Sequence, residues 1–405
     1  MLSKIVTRAF PRQQARVNHI QGLIQISVFR NAPTRYFTSY NRAYVGYHGL
    51  LLKPKQNTNL KASLSSHTDD EKEVVVPQMA ESQTKGGKAT VILFPGQGSQ
   101  YVGMVSKKAV DSCRNARALF EQANQILGYD LLKMCSDGPE YELNKTLHCQ
   151  PAVLVTSLAS VERLAQMNSA AIENCIGTAG FSVGEITALV LAGSLKFSDA
   201  LKFTRVRAEV MQEISDNTAS GMMTVFYGSQ SKVAMACHAA AEFCTRSGMD
   251  KSDSVCSVAN YLFPHCQVIA GHDRALEFVE KYASDFGIKR TKRLTVSGAF
   301  HTKIMSQGKK VLKNALSKIE IHTPRIKVYS NLDGKQYQSP DEIRRNLELH
   351  ICAPVKWEQT IHHIYEQYSA DLPITFECGP QKQMTTILAM INKKAKTLAF
   401  NVEMT

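Results

Sequence analysis

The chain has 405 residues, 44% of them hydrophobic and 20% charged, with a formal net charge of +13, enough apolar material for one large or two modest cores. Ten basic residues precede the first acidic one, Asp69, so the remainder carries only +3 (13 minus 10) and nucleic-acid binding loses its main support. The longest apolar runs fall far short of the roughly 20 residues that span a bilayer, which argues against stable membrane insertion.

Taken in chain order, residues 1–68 form an acid-free leader. Arg8, Arg12 and Arg16 recur at every fourth position beside Leu2, Ile5, Val6, Phe10 and Val17, so a basic amphipathic helix can form. It looks like a mitochondrial targeting sequence, with a disordered basic tail or a membrane-surface helix as alternatives. Residues 69–88 are polar and charged, with Pro77, Gly86 and Gly87, and suit a linker.

A strand is expected over 89–94, broken at Pro95-Gly96-Gln97-Gly98-Ser99-Gln100, and a helix over 112–126 closed by Gly128. Pro151 is placed to open a further helix with Val153, Leu154, Leu158, Val161 and Leu164 on its apolar face. A small-residue apolar run, 175–179, leads into Gly180-Phe181-Ser182-Val183-Gly184 and a helical stretch over 185–192, and another helix follows over 198–214. From about 221 to 296 the order becomes β-α-β-β-α-β, with strands over 222–227, 255–260, 267–270 and 292–296. That order is the ferredoxin-like pattern. Strands over 327–330 and 374–378 then return to the first body. The fold class is α/β: an α/β-hydrolase-like large subdomain with a parallel sheet (89–215 and 297–402) and an inserted ferredoxin-like small subdomain (216–296).

The chemistry centres on Ser182. A GxSxG stretch between an apolar strand and a helix reads as a serine on a tight strand-to-helix turn, or as an ordinary turn serine in an α/β domain. The helix that follows aims free N–H groups at a developing oxyanion, which points to acyl transfer through a serine ester. A serine hydroxyl needs a base within reach, and His301, in Val296-Ser297-Gly298-Ala299-Phe300-His301, follows the last small-subdomain strand where the chain re-enters the large body. Arg207, near the apolar face of its helix with Phe203, Val210 and Met211, requires an anion. That anion is either a structural Asp or Glu or a substrate carboxylate. Lys289-Arg290-Thr291-Lys292-Arg293 reads as a solvated strand edge or as a dock for an acidic partner or for phosphates. The ten scattered cysteines, with no CxxC pair, read as reduced thiols packed as small hydrophobes. His362-His363 is no more than a lone pair, so no metal site is expected.

Phe94-Pro95-Gly96-Gln97-Gly98-Ser99-Gln100, Gly180-Phe181-Ser182-Val183-Gly184-Glu185, Arg207 with Met211-Gln212, Asn260 with Gln267-Val268-Ile269-Ala270-Gly271, and Gly298-Ala299-Phe300-His301 occur in one order. Pro354-Val355-Lys356-Trp357 and Glu377-Cys378-Gly379-Pro380 follow them. The series resembles the malonyl-CoA:acyl carrier protein transacylase family, closest to its mitochondrial members, over roughly 89–400. The resemblance implies Ser182 as nucleophile, His301 as general base, and the backbone N–H groups of Gln97 and Val183 as oxyanion hole. It implies Arg207 as holder of the malonyl carboxylate, and Gln150 and Asn260 as residues lining the cleft. A backbone carbonyl before Pro354 would accept from the histidine's other nitrogen, and Phe300 matches the version associated with unsubstituted malonyl.

The implied partners are malonyl-CoA, as a thioester substrate with no cofactor, and mitochondrial acyl carrier protein. The implied setting is a monomer in the mitochondrial matrix, feeding fatty acid synthesis. Two positions depart from the common pattern: Phe181, where members outside mitochondria usually carry histidine before the nucleophile, and His350, where glutamine is frequent. Two other readings share part of the pattern. A thioesterase or lipase-like serine hydrolase would pass the acyl group to water, and a non-catalytic partner protein would have no need of Ser182, His301 and Arg207 together.

Overall fold

The structure is a computed structural model and describes residues 87–251 and 253–405. The leader and nearly all of the 69–88 linker lie outside the described residues. Ten strands form two sheets: β1 (Thr90–Phe94), β2 (Cys175–Gly180), β3 (Ser220–Tyr227), β4 (Cys256–Phe263), β5 (Cys266–His272), β6 (Ile288–Arg293), β7 (Lys327–Val328), β8 (Val355–Lys356), β9 (Ile374–Cys378) and β10 (Ala399–Val402). The principal helices are α1 (Arg114–Leu127), α2 (Thr146–Met167), α3 (Val183–Leu191), α4 (Phe197–Asp216), α5 (Val233–Arg246), α6 (Asp273–Tyr282), α7 (Lys309–Leu316), α8 (Pro340–Leu349), α9 (Trp357–Glu366) and α10 (Gln383–Ile391).

The first sheet has the order β10-β9-β1-β2-β7, and every pairing in it is parallel. A parallel sheet must be covered on both faces, and β1 shows how. Its Val91 and Leu93 enter one apolar cluster with Trp357, Ile361 and Leu388, whereas Ile92 and Phe94 enter a second with Leu154, Leu158, Ile186 and Leu201. The period-2 alternation of a strand thus feeds both cores from four consecutive residues.

The second sheet has the order β6-β3-β5-β4-β8. Its first four strands are antiparallel neighbours in the ferredoxin-like order, with α5 and α6 as the two helices. The fifth strand, β8, comes from beyond the small body and pairs in parallel with β4 through Asn260 and Val355. The returning chain therefore contributes an edge strand to the second sheet as well as β9 and β10 to the first.

Three local expectations are revised. Pro151 lies inside α2, which starts at Thr146. A proline there removes an N–H otherwise aimed at the Leu147 carbonyl, but the turn before it is secured from outside, where the Thr146 N–H donates to Gln212 Oε1 at 2.8 Å. The last small-body strand is Ile288–Arg293, earlier than the apolar 294–296 suggested: Leu294 keeps one bond to the Met222 carbonyl, and Leu294 and Val296 line a cavity. The strand over 327–330 shortens to Lys327–Val328 as the chain turns and Asn331 reaches the Ser182 N–H. Gly128 does close α1, at a left-handed φ of 80° that a glycine adopts freely. All ten cysteines are free thiols, and all but Cys352 are buried. Among the described residues no helix is long and apolar enough to cross a membrane.

Candidate active site

Ser182 joins β2 to α3 at φ 53°, ψ −112°. Such a conformation costs a residue with a Cβ about 1–3 kcal/mol and survives only where the surroundings fix it. Two glycines make that possible. A Cβ on Gly180 would lie 1.9 Å from the Gly184 backbone, and one on Gly184 would lie 2.6 Å from the Pro95 carbonyl oxygen. The turn is thus packed backbone to backbone against the end of β1 and the loop that carries Gln97. Val183 heads α3, so its N–H has no acceptor within the helix.

His301 meets Ser182 from the other side, with Nε2 2.9 Å from Ser182 Oγ. Its Nδ1 lies 2.9 Å from the His350 carbonyl oxygen and 3.2 Å from that of Ala353. Carbonyls only accept, so the proton of the neutral ring sits on Nδ1 and the Nε2 lone pair faces the hydroxyl. Burial pushes the His301 imidazole down to about 4, and the Arg207 cation adds to this. The ring is therefore neutral at physiological pH and free to take a proton. The carbonyls orient it without the carboxylate that a Ser-His-Asp arrangement would use.

Arg207 reaches the same point from α4. Its Nη2 donates to Ser182 Oγ at 3.0 Å and its Nη1 to Gln150 Oε1 at 2.6 Å, while its Nε, also buried, has no partner. The side chain is 1% exposed. Burial lowers its pKa to about 10, with Glu185 opposing, so it remains a cation. Among the described residues no carboxylate forms an ion pair with it, although the buried Glu185 acts on it through space, and its hydrogen-bond partners are the neutral Gln150 and Ser182. Glu185, wholly buried on α3, is pushed up to about 7 by burial despite accepting from Tyr337 and from the Asn331 N–H.

A cavity of about 790 Å³ opens between the two sheets, lined by Gln97, Phe181, Asn260, Lys292, Met384 and Ile387 among others. A polar chain leads from its wall to the nucleophile: Gln97 accepts from Gln150 Nε2 at 3.3 Å, and Gln150 accepts from Arg207. Gln150 is therefore the arginine's neighbour and is not itself among the residues lining this cavity. Asn260 lines it, 6% exposed, with a buried Oδ1 that has no partner. Phe300 is 5% exposed, belongs to the main core and is not among the lining residues. Phe181 packs edge-on against Trp357, an apolar wall where a histidine would have brought a polar one. In the basic cluster, Arg293 is already paired with Glu280 and Asp273, and Arg290 lies over the Phe226 ring. Lys292 is exposed at the cavity.

Sequence reasoning assigned no role to Asn331, Tyr337 or Gln212. Gln212 entered the motif series only as the neighbour of Met211, and Asn331 and Tyr337 reach partners 149 and 152 residues away with no local mark. His350 acts through its carbonyl, as the departure at that position allowed, and its ring is buried with Nε2 3.3 Å from Asn331 Oδ1.

Residues 91–377 match the acyl transferase domain family. The chain is 45% identical over 320 residues to the malonyl-CoA-acyl carrier protein transacylase, mitochondrial, of Homo sapiens, covering 79% of this chain and 81% of that one. It is 45% identical over 309 residues to the protein of the same name from Mus musculus, covering 76% and 80%. Among solved structures, an acyl carrier protein S-malonyltransferase from Vibrio cholerae superposes with a TM-score of 0.68 at 32% identity, over 78% of this chain and 96% of that one.

Proposed function

This chain belongs to the acyl transferase domain family, among the malonyl-CoA:acyl carrier protein transacylases, and on that premise we propose that Ser182 carries the acyl group between the two thiols. The enzyme is an acyltransferase of the mitochondrion. It moves malonyl from malonyl-CoA to the phosphopantetheine thiol of acyl carrier protein through a malonyl-serine, supplying mitochondrial fatty acid synthesis. In our reading His301 Nε2 takes the Ser182 proton as Oγ attacks the thioester carbonyl, and returns it to the departing coenzyme A thiolate. The N–H groups of Gln97 and Val183 receive the oxyanion. The second half runs in reverse order of roles: the carrier thiol gives its proton to His301, attacks the ester and releases Ser182.

The observation that carries this reading is the Arg207 guanidinium, buried 3.0 Å from Ser182 Oγ and ion-paired with no carboxylate among the described residues. A malonyl carboxylate completes it, whereas a neutral acyl chain leaves it unpaired at a cost of several kcal/mol. The same preference separates transacylase from lipase-like hydrolase. Asn260 and Gln97 face the pantetheine arm, Gln150 holds the guanidinium, and the ring of Phe300 stiffens the segment that ends in His301. The reading takes residues 216–296 as a body inserted in the large one, with strands of the second sheet contributing to the cavity wall. No cofactor enters the reaction, and the protein works as a monomer in the matrix with the mitochondrial carrier as acceptor.

Incubation with malonyl-CoA alone, followed by intact-protein and peptide mass spectrometry, is expected to give one stable malonyl adduct on Ser182. Rapid release of free malonate with no adduct would identify a hydrolase.

A further inference from the structure

Both halves of the Ser182–His301 pair converge on one residue that touches neither coenzyme A nor the acyl group in the reading above. Asn331 is fully buried in the turn after β7. Its side-chain Nδ2 donates to the Gly180 carbonyl at 2.8 Å, and its Oδ1 accepts from the Ser182 N–H at 2.7 Å. The amide thus spans the strained turn, pairing with the residues either side of Phe181. Its backbone N–H donates to Glu185 Oε2 at 2.6 Å, and its carbonyl accepts from the Lys356 N–H at 2.8 Å.

The same Oδ1 lies 3.3 Å from His350 Nε2, and Glu185 Oε2 lies 3.6 Å from that nitrogen. Both neighbours are acceptors, so the His350 proton belongs on Nε2. His350 in turn presents the carbonyl that holds His301 Nδ1. One amide therefore ties the nucleophile's backbone to the segment that aims the base, although Ser182 and His350 belong to separate stretches of chain.

We propose that Asn331 is a positioning residue for acyl transfer, setting the Ser182 turn and the His350 carbonyl in register through the two ends of its amide. The proposal rests on Ser182 being the nucleophile. The chemistry requires an amide: Gly180 O needs a donor and Ser182 N–H needs an acceptor, and only a group with one of each, a peptide's width apart, serves both. Aspartate keeps the shape and the acceptor but sets an oxygen against the Gly180 carbonyl and adds a charge, so N331D removes the donor and is read together with its pH profile.

The test is rapid-quench formation of malonyl-Ser182 from malonyl-CoA, with rates normalised to folded protein by circular dichroism and wild-type adduct mapped in parallel. A misplacement of about an ångström at the reacting atoms costs on the order of 100-fold in rate. N331D is therefore expected to lose about that factor in the acylation rate constant with KM for malonyl-CoA little changed, since Arg207 and the cavity are untouched. Its acid limb should also move upward in pH, because a carboxylate beside His350 favours a protonated His301. A wild-type acylation rate, or a loss confined to KM or to thermal stability, would overturn the assignment. Should N331D not fold, Asn331→Ser, which adds no charge, is read by the same rate criterion. If wild-type protein carries its adduct elsewhere than Ser182, the functional reading itself fails, an outcome distinct from an unaffected N331D.

Discussion

The parallel sheet and the second sheet set opposite kinds of groups around the site. The parallel sheet brings groups that are almost wholly buried, Ser182 at 7% exposure and Arg207 at 1%. The antiparallel sheet brings Asn260, Leu262 and Val268 as walls and the exposed Lys292 at the edge. Burial on the first side drives His301 down and holds the Arg207 cation beside Ser182 Oγ, with no ion-paired carboxylate among the described residues. Charge on the second side stays solvated and is worth little for holding the fold, but it acts at a distance on an approaching partner. The difference separates making and breaking the ester from choosing who delivers and who receives it.

The sharpest test of that division lies on the buried side. Ser182→Ala or His301→Ala is expected to reduce malonyl transfer by about 10⁴-fold or more, with the double variant hardly worse than either single one, because the two act as a unit. Stopped-flow release of coenzyme A measures it, and additive losses would break the pairing. Arg207→Ala comes next. Transfer of malonyl is expected to fall by about 100-fold or more while transfer of acetyl rises, since several kcal/mol of unpaired charge are removed from the competing substrate. An equal loss for both donors would make the arginine a structural element only.

On the exposed side the effect shrinks and changes character. Lys292→Glu is expected to lower kcat/KM for acyl carrier protein by about 10-fold at low salt, with the deficit fading as ionic strength rises and the rate of Ser182 acylation per bound malonyl-CoA preserved. Lys292 is the informative choice because Arg293 already serves Glu280 and Asp273. The smallest effect is one of pH. A depressed His301 pKa means that the base is lost only as pH falls through about 4, not through the ordinary 6.5. The acylation rate should therefore stay flat from neutrality to about pH 5, and a half-fall near 6.5 would show a ring more solvated than this geometry allows.

Much of the nucleophile's side was legible in the chain because its requirements are local. Gly180 and Gly184 flank Ser182, a small-residue strand precedes it and a helix follows, and these features share about a dozen consecutive positions. The ferredoxin-like order of the inserted body was legible for the same reason, as a run of periodic segments separated by turns. His301 could be singled out only with the help of the resemblance, since one of twelve histidines carries no local mark. The start of α2 was misplaced because its first N–H is capped by Gln212, on another helix.

What the sequence determined by itself is the set of short-range commitments: where backbone must approach backbone, where a strand alternates into two cores, where a cation is committed to an apolar helix. What only the tertiary structure decided is pairing over distance. It showed that among the described residues no carboxylate is ion-paired with Arg207, that two carbonyls hold His301 Nδ1, and that Asn331 bridges Gly180 and Ser182 while approaching His350. The reason is that a hydrogen bond depends on ångströms and direction, and residues far apart along the chain acquire these only when both sheets and their connections have packed.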